Sequence, residues 1–176
     1  MGKVLWHVTM SLDGFIAGPG DDMGWMNDFF GPNPTVDDVL GRIGAVLIGA
    51  RTYQVARTDA GKVYGGAWIG PQFVLTHAAP VTAVPGFTFV SGDIKKAIQL
   101  VKAAAGEMYA VILGASTARQ VLEAGLLDEI LVHITPILLG DGVRLFSHPG
   151  GTKVKLERVG LTQTPQVTNL WLQVRY

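Results

Sequence analysis

YAVILGASTARQVLEAGLLDEILVHITPILLGDGVRLF, residues 109–146, carries the pattern that decides the fold. Residues 109–113 form a short apolar run with the length and β-branched content of a buried strand. Gly114 breaks it. Ser116 is a suitable N-cap for a helix, Val121 and Leu122 give that helix an apolar stripe, and Gly125 supplies a left-handed stop. A second strand is expected over residues 129–135, closed by Pro136. Strand, glycine turn, helix and strand make a βαβ unit and so an α/β fold. The helix N-terminus turns backbone N–H groups and partial positive charge toward residues 114–117, which suits an anion. Most such turns carry glycine for geometry alone, so turn chemistry leaves both readings open.

Working outward, residues 4–10 read as the first, central strand. Ser11 to Gly14 form a turn into residues 15–18, and a long glycine-rich loop runs on to Trp25 with the character of a lid. Asp13 is either a turn residue bonding its own backbone or a polar group near a reacting ring. Asp28, inside the aromatic run 25–30, is either a turn cap or a carboxylate whose apolar surroundings raise its pKa and make it a general acid. A short helix capped by Thr35 is expected over residues 35–43, then strands over 45–48, 72–76 and 87–90. Asp93 opens a helix with Ile94, Ala97, Ile98, Val101 and Ala105 on one face and Gly106 as its stop. Residues 153–161 and 167–176 alternate as an antiparallel hairpin at the sheet edge. An open edge of this kind predicts a homodimer.

Composition narrows the function. The 176 residues predict one domain, residues 1–176, with 48% hydrophobic and 16% charged residues and 23 glycines, a compact enzyme-like chain. Net charge is zero, which favours neither nucleic acid nor an anionic membrane as partner. The absence of cysteine removes disulfides and thiolate chemistry. The N-terminus lacks the layout of a signal peptide and no apolar stretch approaches twenty residues, so a cytoplasmic protein is expected. No GxGxxG follows the first strand, Lys62 lacks the hydroxyl neighbour of a P-loop, and no GxSxG elbow occurs. His7, His77, His133 and His148 fall at no ligand spacing, so no metal is expected.

The run 113–146, together with VTMSLDGFIAG, LIGARTY and FVLT elsewhere in the chain, resembles the dihydrofolate-reductase-like reductases. The branch it is most similar to is the C-terminal reductase domain of the bacterial bifunctional riboflavin deaminase-reductase. The resemblance implies a three-layer sandwich with a mostly parallel central sheet, and NADPH as cofactor. It places Gly114, Ala115, Ser116 and Thr117 at the pyrophosphate, with Gly49, Arg51 and Thr52 opposite and Thr76 near the adenosine phosphate. Ala17 and Gly18 would flank the nicotinamide, and Asp13 or Asp28 would face a small-molecule substrate. Two positions depart from the family pattern: Ala50 stands where arginine is usual, with Arg51 beside it, and Ala115 replaces a second glycine. The implied substrate is a nitrogen heterocycle, first 5-amino-6-(5-phosphoribosylamino)uracil of riboflavin biosynthesis and second dihydrofolate. A noncatalytic nucleotide-binding module of the same fold is the alternative.

Overall fold

Apolar runs punctuated by glycine become strands, and the amphipathic stretches between them become helices. The computed structural model describes residues 2–58, 63–78, 85–151 and 153–176. In chain order the elements are β1 (Val4–Ser11), β2 (Phe15–Ala17), α1 (Pro34–Leu40), β3 (Ile43–Gly49), α2 (Ala50–Thr58), β4 (Gln72–Leu75), β5 (Phe87–Val90), α3 (Ile94–Ala105) and β6 (Tyr109–Leu113). They continue with α4 (Ala115–Glu123), β7 (Glu129–Thr135), β8 (Val143–Arg144), β9 (Lys155–Gln163) and β10 (Thr168–Arg175). Lys62, set aside above as a P-loop lysine, lies outside the described residues.

The main sheet runs β5-β4-β3-β6-β1-β7-β10-β9. Its strands are parallel from β5 to β7, and β10 and β9 add an antiparallel hairpin at one edge. β1 lies between β6 and β7, so the unit read from residues 109–135 is a crossover that spans a third strand. One face of the sheet packs Ala97, Ile98 and Val101 of α3 and Ala118 and Val121 of α4 against Trp6, Leu47 and Ile112. The other packs Val39 of α1 and Tyr53 of α2 against Leu5, Val46, Val111 and Leu131. Helices on both faces of a parallel sheet make three layers.

Two helix starts differ from the sequence reading. α1 is capped by Asn33, whose side chain accepts from Thr35 N at 3.2 Å, with Pro34 in the first position; Thr35 is inside the helix. Proline at that position costs no hydrogen bond, which fixes the start one residue before Thr35. α4 starts directly after Gly114, so Ser116 lies in its first turn and is not its cap.

At the N-terminal ends of the strands a single carboxylate gathers the sheet. Glu129 of β7 accepts from Lys3 Nζ at 2.5 Å, Tyr109 Oη at 2.8 Å and Trp171 Nε1 at 2.8 Å. Burial would raise its pKa, but these donors outweigh burial and hold the carboxyl below its usual range.

Candidate functional site

Parallel strands bring all their C-terminal ends to one edge, and the turns there are where such sheets bind ligands. β3 and β6 are neighbours with Ile48 opposite Leu113, so Gly49 and Gly114 end their strands side by side. Each turn accepts the other's threonine. A Cβ on Gly114 would fall 2.4 Å from Thr52 Oγ1, and one on Gly49 would fall 2.7 Å from Thr117 Oγ1. Gly114 also has φ +93°, which disfavours any other residue. Neither α2 nor α4 carries an acid in its first turn, and the N-cap of α4 makes no side-chain hydrogen bond. The first N–H groups of both helices therefore meet no carboxylate from their own turn, which fits a phosphate-bearing cofactor. Ala115 is half-buried, Ser116 is exposed and Thr117 is buried.

Leu75 pairs with Gly49, so Thr76 stands beside the same turn, its hydroxyl engaged with the backbone of Ala78 at 3.2 Å. Arg51, in the first turn of α2, is bound at both Nε and Nη2 by the carboxylate of Asp21, each at 2.6 Å. Ala17 and Gly18 are buried. β2 pairs with β8, and Gly142 lies so close over Ala17 that a Cβ there would meet its carbonyl oxygen at 2.0 Å.

Asp13 faces the loop before β8. It accepts from Ser11 Oγ at 2.6 Å, Leu139 N at 3.1 Å and Gly140 N at 2.7 Å. The hydroxyl of Ser11, supported by the two backbone donors, lowers its pKa to about 2. A carboxylate held ionised by three donors anchors a loop and is a poor proton donor. Asp28 lies in a 3-10 turn, Gly24–Phe29, that contains no buried residue, and its side chain is exposed. The apolar surroundings expected for a general acid are absent there, because the aromatic run forms a surface turn.

A polar strip that sequence reasoning missed crosses the apolar α1/α2 face. In register across four strands lie Thr9, His133, Asn169 and Thr162, with His7 one row below. His7 Nε2 and His133 Nε2 are 2.6 Å apart, His133 Nδ1 is 2.6 Å from Asn169 Oδ1, and His7 Nδ1 is 2.8 Å from Tyr64 Oη. Asn169 Nδ2 donates to Thr162 Oγ1 at 2.9 Å and Asn33 Oδ1 at 3.1 Å, so its Oδ1 faces His133. An amide oxygen can only accept, which places the His133 proton on Nδ1. His133 Nε2 then accepts from His7 Nε2–H, and His7 Nδ1 accepts the Tyr64 hydroxyl proton. Burial and the neighbouring His133 lower the His7 pKa to about 3. Burial also lowers His133, against the hydrogen bond to Asn169. Both rings are neutral.

Tyr64 stacks on His7 at 5.5 Å with a backbone φ of +57°, a conformation unusual for a tyrosine. Trp6 pairs with Ile112, which puts His7 level with Leu113, one residue short of the Gly114 turn. The buried strip therefore begins on the strand next to the one that ends at the Gly114 turn. A separate cavity of about 260 Å³, lined by Leu122, His148, Lys153, Arg175 and Tyr176 among others, contains none of these residues. Among the described residues no cluster of His, Cys, Asp or Glu could hold a metal, and no helix is long and apolar enough to cross a membrane.

The family model for the RibD C-terminal domain matches residues 2–170. Among solved structures, a putative riboflavin biosynthesis protein from Shewanella sp. PV-4 superposes with TM-score 0.83 at 22% identity, covering 100% of both chains. A diaminohydroxyphosphoribosylaminopyrimidine deaminase/5-amino-6-(5-phosphoribosylamino)uracil reductase from Thermotoga maritima gives 0.73 at 16% identity, over 99% of this chain and 57% of that one. A dihydrofolate reductase from Enterococcus faecalis complexed with NADP(H) gives 0.67 at 11% identity, over 99% and 98%. These likenesses show the fold, a dihydrofolate-reductase-like α/β sandwich.

Proposed function

The chain belongs to the RibD C-terminal domain family, and we propose from that membership and the site's geometry that it is a pyridine-nucleotide-dependent reductase of a small nitrogen heterocycle. The observation that carries this reading is the pair of interlocked turns at Gly49 and Gly114, each closed by the other's threonine. NADPH, when bound, supplies the hydride. The first N–H groups of α2 and α4 and the hydroxyls of Thr52 and Thr117 receive its phosphates. Ala17 and Gly18 border the ring's place. The strip of His7, His133 and Asn169 is buried with its polar atoms paired among themselves and their neighbours, so it shapes the sheet beside the turns while Tyr64 packs over it. Reduction of a C=N or C=O group needs one proton besides the hydride, and neither Asp13, held ionised by three donors, nor Asp28, exposed on a surface turn, is favoured as its source.

A phosphoribosylaminouracil of the riboflavin pathway is the first substrate on this reading, supported by the family, and dihydrofolate the second. The test is calorimetric titration and thermal shift with NADPH and NADH, followed by turnover with both substrates. At a hundred times its dissociation constant a ligand stabilises the fold by about 2.7 kcal/mol. Binding of either dinucleotide supports the reading, and binding of neither refutes it. A noncatalytic nucleotide-binding module is the second reading, favoured by the engagement of Asp13 and the exposure of Asp28. It predicts dinucleotide binding with no turnover of either substrate.

A further inference from the structure

Arg51 stands in the first turn of α2, next to the Gly49 turn, and its partner comes from the glycine-rich loop after β2. Asp21 binds the guanidinium through both carboxylate oxygens at 2.6 Å, with the Arg51 side chain 69% exposed and that of Asp21 27%. The backbone of Asp21 is left-handed at φ +65°, so the loop bends out of its ordinary range where it meets Arg51. On either side the loop is tied to itself, Gly18 N to Asp22 O at 2.8 Å and Gly24 N to Asp22 Oδ1 at 2.8 Å. The whole segment 4–41 contains six aspartates and no lysine or arginine. An anion arriving at Arg51 therefore meets a carboxylate already in place and an acidic loop around it.

We propose that Asp21 is a specificity-determining residue for the cofactor: its carboxylate competes with a cofactor phosphate for Arg51 and latches the lid until that phosphate displaces it. The proposal rests on the dinucleotide reading above. Two planar oxygens on one guanidinium mimic the contact that a phosphate would make, so the two cannot occupy Arg51 together. Once displaced, Asp21 and Asp22 face an anion of like charge, and the loop covering Ala17 and Gly18 is repelled from the turn. Binding of the phosphate and release of the lid are one event.

The test is Asp21→Asn, which keeps a residue tolerant of positive φ while removing the charge. NADPH and NADH affinities are measured by calorimetry, and hydrogen exchange is followed over residues 18–29. An exposed ion pair of this kind predicts affinity about two- to fivefold tighter in the variant, with faster exchange in the loop before any ligand is added. Tightening for NADPH alone assigns Arg51 to the 2′-phosphate, and equal tightening for both assigns it to the pyrophosphate. In Arg51→Ala the effect of Asp21→Asn disappears. Unchanged affinities and unchanged exchange overturn the proposal. Should neither dinucleotide bind either protein, the dinucleotide reading falls, and inorganic pyrophosphate decides the latch: tighter binding to Asp21→Asn upholds it, equal binding overturns it.

Discussion

His7 is neutral because burial and His133 hold its imidazole at about 3, against an ordinary value of 6.5. An unfolded chain takes up a proton there near pH 6.5, while the folded chain does so only near 3. Stability is thus complete above pH 6.5 and drains away as pH falls between those values. At pH 5 His7 alone makes the fold less stable by about 2 kcal/mol than at pH 7.5, with His133 acting in the same direction. Urea denaturation of the wild type and His7→Gln at the two pH values checks this, and the variant's slope is the flatter. Asp13 and Asp28 separate by a different measurement. Asp13→Asn speeds hydrogen exchange at Leu139 and Gly140, which lose an ionised acceptor, whereas Asp28→Asn leaves exchange and stability unchanged. The histidine pair was not legible in the sequence. His7 and His133 are far apart along the chain, and parallel pairing of β1 with β7 brings them to 2.6 Å. Ligand-spacing rules see neighbours along a helix or loop and not across strands.

At the scale of elements, the βα turns are where sequence and structure agree best. Gly114, Thr117, Gly49 and Thr52 were picked out by family likeness, and the structure brings all four to one edge. Gly114→Ala combines a positive φ with a 2.4 Å clash against Thr52. It is expected to cost about 1 to 3 kcal/mol of stability in denaturant titration and to abolish dinucleotide binding. The strands were readable because short apolar runs between glycines admit little else. The caps were not, since Asn33 and Gly114 compete with nearby Thr35 and Ser116, and backbone geometry settles the choice. β8 also escaped notice, being two residues long and stabilised by its pairing with β2.

For the whole molecule, the open question is the outer strand. Among the described residues β9 pairs only with β10, and Leu156, Val159 and Leu161 are 46%, 53% and 56% exposed. We propose that a second copy covers this edge, as unpaired strands with apolar side chains invite. Size-exclusion chromatography with light scattering is expected to give a dimer for the wild type and a monomer for Val159→Lys combined with Leu161→Lys. A monomeric wild type refutes the assignment.

Glu129 has a mechanical meaning as well. One carboxylate bolts together the starts of β1, β6 and β7 and the middle of the antiparallel β10, whereas the far ends of the parallel strands lead into loops. The sheet is a jaw with its hinge pin at Glu129, and its gape falls at Gly49 and Gly114.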